Sequence, residues 1–184
     1  MNGESGIKRM QNTHPSIGCS ICNNLCLSNF FDGIDTLTNF PPTGSVSPTP
    51  YKVRDNTSSG NGLTSYSAEG TVEFSGNTGE ACGSFGLWGK YINNSDVKDN
   101  VFVNCNRKSD VGYAALFCQG HNNSIADNRF LDSAPVNSAL YIDGNNNTYT
   151  DNRFDPSYSA PLYTSGVGNI GIGNRGVKSS GGTT

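Results

Sequence analysis

A four-residue phrase ending in asparagine returns along this chain at a spacing too short for most repeat folds. Its copies are Val53-Arg-Asp-Asn56, Phe74-Ser-Gly-Asn77, Val97-Lys-Asp-Asn100, Ile125-Ala-Asp-Asn128 and Tyr149-Thr-Asp-Asn152. A degenerate copy ends at Asn174, and Cys26-Leu-Ser-Asn29 precedes them all. The asparagines at 29, 56, 77, 100, 128, 152 and 174 stand 27, 21, 23, 28, 24 and 22 residues apart. Helical solenoids repeat at about 34 residues and propeller blades at about 40 or more, so both are excluded.

A second phrase keeps step with the first. Leu116-Phe117, Leu140-Tyr141 and Leu162-Tyr163 each begin nine residues before the matching position of the next copy, and Leu87-Trp88 leads by ten. Glycine or polar residues follow each dyad, which ends a short strand. Two short strands per coil are therefore visible. The length variation falls in the remaining segment (CNRKSDVGY, LDSAPVNS, DPSYSA), which reads as the loop.

This period predicts an all-β parallel β-helix of about seven coils over residues 17–177, with residues 1–16 and 178–184 irregular. Stacked coils lie about 4.8 Å apart, so like positions form columns. One column is expected to hold Leu63, Leu87, Leu116, Leu140 and Leu162. Another holds Phe74, Val97, Ile125 and Tyr149, with Phe31, Phe102, Phe130 and Phe154 two residues past the asparagine. The asparagines form a turn ladder of amide hydrogen bonds. Residues 41–50, PPTGSVSPTP, read as an outside excursion.

Composition agrees with a chain made of turns. There are 23 glycines and 24 asparagines in 184 residues, both poor helix formers that reach left-handed backbone angles cheaply. The net charge of −3 supplies no basic field for nucleic acid. No apolar run is long enough for a membrane span, and MNGESGIKRMQNTHPS has no signal-peptide core, although Met1 equally suits the start of a fragment. The six cysteines, Cys19, Cys22, Cys26, Cys82, Cys105 and Cys118, sit mostly beside apolar residues and read as buried free thiols; no second CxxC follows Cys19/Cys22, so no metal site is expected. Gly166-Val-Gly168-Asn-Ile-Gly171 matches a dinucleotide motif only formally, since no helix pattern follows it, and no cofactor is expected.

Phrases such as NNSIADNRFLDS followed by SALYIDG resemble the coils of right-handed parallel β-helix proteins in the pectate-lyase-like superfamily, nearest the phage tailspikes. The resemblance implies a right-handed helix, lateral homotrimerisation, contact with a bacterial surface polysaccharide and a place on a virion tail or at the extracellular host surface. Members that act as enzymes usually have more coils than this chain.

Strand alternation points the residue after each ladder leucine outward. Trp88, Phe117, Tyr141 and Tyr163 would then form an exposed stripe about 14 Å long, suited to stacking on sugar faces or to being covered by loops or a neighbouring subunit. Glu73 and Asp96 occupy one outward position on adjacent coils, their backbones about 5 Å apart. Such a pair suits retaining glycoside hydrolysis, or is two solvated surface acids. Asp143, two residues past Tyr141, is placed to bond a sugar hydroxyl. Asp99, Asp127 and Asp151 precede the ladder asparagines and Arg129, Arg153 and Arg175 follow them, as interleaved charges or as an arginine row for acidic sugars. His121, in the turn GHNN, reads as solvent-facing. The sequence thus supports a glycan-binding structural module, with a polysaccharide hydrolase or lyase acting through Glu73, Asp96 or Asp143 as the alternative and a purely structural coil section as a third.

Overall fold

The computed structural model of the chain describes residues 5–8, 20–37, 50–105, 114–132, 138–158 and 160–176. The excursion at 41–49, the segment 178–184, Cys19 and most of residues 1–16 lie outside them. Three strands, not two, make each coil. They run β1 (Ile7–Lys8), β2 (Ser20–Cys22) and β3 (Leu25–Leu27), then β4 (Ile34–Asp35), β5 (Tyr51–Arg54) and β6 (Thr57–Ser59). Next come β7 (Tyr66–Gly70), β8 (Val72–Ser75), β9 (Thr78–Glu80), β10 (Leu87–Ile92), β11 (Asp96–Lys98) and β12 (Val101–Val103). The later coils are β13 (Ala114–Gln119), β14 (Ser124–Ala126), β15 (Arg129–Leu131), β16 (Ser138–Asp143), β17 (Thr148–Thr150) and β18 (Arg153–Phe154), followed by β19 (Leu162–Ser165) and β20 (Ile170–Ile172).

Every third strand pairs in parallel, giving three sheets. Sheet A is β1-β4-β7-β10-β13-β16-β19, sheet B is β2-β5-β8-β11-β14-β17-β20, and sheet C is β3-β6-β9-β12-β15-β18. The molecule is a parallel β-solenoid of about five regular turns, with shorter strands at its ends making up the seven layers of sheets A and B. Ile7–Lys8 forms a strand inside the segment expected to be irregular.

The core is built of columns, one residue per coil. In sheet A the column runs Ile7, Ile34, Tyr66, Leu87, Leu116, Leu140, Leu162. Tyr66, not Leu63, fills the third place: Leu63 is 36% exposed, whereas the Tyr66 hydroxyl reaches the carbonyls of Asn56 (2.8 Å) and Thr78 (2.7 Å) across the interior. In sheet B, Phe74, Val97, Ile125 and Tyr149 stack as expected, and Ile21 and Val53 extend the column toward the first coil. In sheet C the rings of Phe102, Phe130 and Phe154 stack at 5.6 and 5.1 Å. Phe31 is not part of that column; Cys26 takes the corresponding place in the first coil, and Phe31 is 43% exposed.

The asparagine ladder stands at the corner between sheets B and C. Each buried side-chain oxygen accepts from the backbone N–H and the side-chain amide of the asparagine one coil earlier, from Asn24 through Asn56, Asn77, Asn100, Asn128 and Asn152 to Asn174. The ladder begins at Asn24; Asn29 instead pairs with Asn61 at the corner between sheets C and A. A second ladder, Ser95, Asn123, Asn147 and Asn169, marks the corner between sheets A and B.

The residue before each Asn of the first ladder has positive φ: Asn23, Asp55, Gly76, Asp99, Asp127, Asp151 and Gly173, between 52° and 69°. Asn, Asp and Gly tolerate that conformation best, which accounts for the recurring Asp-Asn. Among the described residues the ion pairs are Lys8–Asp35, Lys52–Glu73 and Arg54–Glu73. None joins Asp99, Asp127 or Asp151 to an arginine, so backbone geometry rather than interleaved charge explains these aspartates.

Cys22, Cys26, Cys82, Cys105 and Cys118 carry free thiols, all buried except the half-buried Cys22. Burial pushes the Cys118 thiol up to about 12 and raises those of Cys26 and Cys105 as well.

Candidate functional site

The outer face of sheet A carries two rows side by side. Trp88, Phe117, Tyr141 and Tyr163 are in register on successive strands, as the alternation predicts. Their rings stack mainly on one another. Tyr141 and Tyr163 lie 4.5 Å apart at 30°, and Phe117 and Tyr141 5.2 Å apart at 44°. Phe85 fills the first step, parallel to Trp88 at 6.0 Å and 5.7 Å from Phe117. At the coil spacing the rings of the row pack on one another, stacked or tilted, so an external ligand meets their outer flanks and that of Tyr163, which is 49% exposed. Burial, then the neighbouring Tyr163 and Asp143, raise the Tyr141 hydroxyl above its usual range.

Two residues further along each strand lies a polar row that residue-type repetition did not reveal. Glu69 pairs in register with Lys90, and Gln119 with Asp143 and Ser165. Asp143 is tied on both sides: Ser165 Oγ donates to Oδ1 at 2.7 Å and Gln119 Nε2 to Oδ2 at 3.3 Å. The Lys90 ammonium rests 5.6 Å from the Trp88 ring centre and 5.3 Å from that of Tyr91, joining the polar row to the aromatic one.

Where the polar row meets the corner between sheets A and B, a shallow depression of about 250 Å³ opens. Tyr91, Asn93, Gln119, Gly120, His121, Asp143 and Gly144 line it. Two of its residues are glycines for a steric reason. A Cβ on Gly120 would lie 1.7 Å from the Ile92 carbonyl oxygen, and one on Gly144 1.9 Å from that of Gly120, so the backbone itself forms this part of the wall. Tyr91 is the extra residue of a β-bulge between Lys90 and Ile92 and adopts φ 53°, an unusual conformation for a bulky side chain. The bulge turns its ring outward, 43% exposed. His121 Nδ1 accepts the Asn145 N–H at 3.0 Å, which leaves Nε2 as the ring's donor. Strained backbone, an oriented imidazole and a carboxylate thus converge on one hollow.

The other sequence candidates lie elsewhere. Glu73 and Asp96 are in register on sheet B, but Glu73 is engaged by Lys52 at 3.1 Å and Arg54 at 3.7 Å. Arg129 and Arg153 are neighbours on the outer face of sheet C, with Arg175 bridging to Arg153. The aromatic row and Asp143 therefore share a face, while Glu73 and Asp96, and the arginines, each belong to another. Sequence reasoning missed Tyr91, Lys90, Gln119 and His121 as members of a site. The ten-residue lead of Leu87-Trp88, where other copies lead by nine, was the trace of the Tyr91 bulge. Among the described residues no cluster of three or more His, Cys, Asp or Glu is arranged to hold a metal. In comparisons with known proteins, no family model, no curated protein and no solved structure matches the chain.

Proposed function

We propose that this chain is a structural, carbohydrate-binding module that lays a polysaccharide along the outer face of sheet A, as a tailspike does at a bacterial surface. The observation that carries the reading is the polar row of Lys90, Gln119, Asp143 and Ser165 beside the aromatic row, with the Tyr91–His121–Asp143 hollow at its edge. Sugars offer an apolar face and a rim of hydroxyls, and the two rows match that division. Packed rings and the bridged Asp143 carboxylate are fixed before a ligand arrives, so little ordering cost remains to be met on binding. The reading extends to a lateral homotrimer within a virion tail or at a host surface, and to the pectate-lyase-like lineage that the coil phrases resemble.

A panel of bacterial capsular and lipopolysaccharide glycans tests it. Binding to at least one of them is expected, weakened about tenfold or more by Asp143→Asn and by Tyr91→Ala, with Glu73→Gln neutral. Loss of binding confined to changes on sheet B or C would refute the assignment of the face. A second reading, cleavage of the bound polysaccharide, is favoured only by the shared hollow of Asp143 and His121. Release of reducing or unsaturated ends that Asp143→Asn abolishes would establish it.

A further inference from the structure

We propose that the hollow at the corner between sheets A and B takes a single neutral sugar residue, held through hydroxyls on two adjacent ring carbons, and is closed to uronic acids and other anionic sugars. The proposal rests on the reading of sheet A as a glycan face and names what the edge of that face selects. At about 250 Å³ the hollow has room for one pyranose ring rather than a run of them. Its selectivity follows from Asp143. Ser165 Oγ reaches Oδ1 from the following coil at 2.7 Å, and Gln119 Nε2 reaches Oδ2 from the preceding coil at 3.3 Å, so the carboxylate is clamped from both sides along the solenoid axis. An ionised carboxylate offers about four acceptor positions, so each oxygen keeps one for a ligand. Two acceptors so joined take two hydroxyls on adjacent ring carbons much as they take the paired N–H groups of an arginine.

The other lining groups suit the same ligand. His121 Nδ1 accepts the Asn145 N–H, which only a neutral imidazole can do, and its Nε2–H is left to donate to a hydroxyl or ring oxygen. Asn93 fixes two of the lining residues, its Oδ1 accepting the His121 N–H at 2.9 Å and its Nδ2 donating to the Tyr91 carbonyl at 3.2 Å. The bulge at Tyr91 sets an exposed ring at the rim, an apolar plane for the face of a sugar. Gly120 and Gly144 contribute bare backbone, so a ligand ring can come close. Among the described residues that line the hollow, Asp143 is the one charged group; the Lys90 ammonium, drawn onto the Trp88 and Tyr91 rings, is not among them. A ligand carboxylate or phosphate would therefore meet a fixed negative charge with no lining cation to offset it, whereas hydroxyls bring donors that the carboxylate accepts.

Amide chemical shifts of the isotope-labelled chain, titrated with methyl glycosides of neutral hexoses at millimolar concentration beside the polysaccharide panel, test this. At least one neutral glycoside is expected to move the signals of Tyr91, Gly120, His121 and Gly144 and to compete with a bound polysaccharide. Removing either of two adjacent hydroxyls should weaken it about tenfold or more, and so should exchanging its hydroxymethyl group for a carboxylate. Asp143→Asn should reverse the charge preference, weakening the neutral glycoside about tenfold while strengthening the uronate, a change that loss of structure alone does not produce. Far-UV circular dichroism checks that the variant folds, and if it does not, the deoxy series on the wild-type chain decides. Two results overturn the proposal and leave the reading of the face standing: a panel polysaccharide bound on sheet A while neutral glycosides leave the signals of the hollow unmoved, or a uronate or amino sugar held there more tightly than the neutral glycoside. If no glycan of the panel binds, the reading of the face falls and takes the proposal with it.

Discussion

The corner between sheets B and C and the corner between sheets C and A are built from the same backbone device and carry different chemistry. At each, a residue with positive φ precedes a buried side chain that faces its equivalent one coil away. At the first corner that side chain is asparagine on every coil from Asn24 to Asn174. At the second it is Asn29 and Asn61, then Cys82 and Cys105, preceded by Ser28, Gly60, Ala81 and Asn104 at φ between 48° and 67°. A primary amide donates and accepts at once, so one rung sets the next. A thiol donates weakly, and Cys105 Sγ, beside Cys82, also approaches backbone carbonyls at 3.5 and 3.7 Å. The amide corner holds register while the thiol corner fills space. Two connections, between Cys105 and Ala114 and between Asp132 and Ser138, fall on the side of the thiol corner, while the longer ones from Lys8 to Ser20 and from Asp35 to Tyr51 join sheet A to sheet B.

The sharpest way to break this contrast is Asn128→Ala. It strips Asn100 of its acceptor at 3.1 and 2.9 Å and leaves the Val97 carbonyl and Asn152 Oδ1 short of a donor. Urea unfolding should show a loss of about 4 kcal/mol, from several buried groups left unsatisfied at once. A smaller effect is expected at the preceding residue. Asp127→Val forces a β-branched side chain into φ 55° and should cost about 2 kcal/mol, whereas Asp127→Gly should stay within about 0.5 kcal/mol and be insensitive to salt. A strong salt dependence would restore the charge-pairing account. Cys105→Ala, at the other corner, should cost about 1 kcal/mol, the value of a small buried side chain. If it costs as much as Asn128→Ala, the two corners are equivalent and the contrast fails. Last, Ala81 holds φ 49° without a side chain suited to it, so Ala81→Gly should raise the unfolding midpoint slightly, by about 0.5 kcal/mol.

These corners also explain which parts of the molecule could be read in advance. From Phe74 to Asn174 the phrase, its period and its columns are legible because one residue type is demanded at one place on each coil. The first coil is misplaced by five residues because Ser28-Asn29 is the same local pair, a left-handed residue and an asparagine, at a different corner. A pattern of residue types cannot say which corner it belongs to, and 32 residues separate the true partners Asn24 and Asn56. Tyr66 was hidden behind Leu63 because the column asks for volume and a satisfied hydroxyl, not for leucine. The aromatic row was legible through its shared chemistry. The polar row was not, since Glu69, Lys90, Gln119, Asp143 and Ser165 share a place and no residue type.

The connections from Cys105 to Ala114 and from Asp132 to Ser138 leave and re-enter the solenoid along one edge, which makes that edge a natural display frame. An insert spliced between Asp132 and Ser138 enters after sheet C has closed one layer and leaves before sheet A opens the next. That segment can therefore be lengthened or rewritten while the amide spine opposite keeps every layer in place and needs no compensating change.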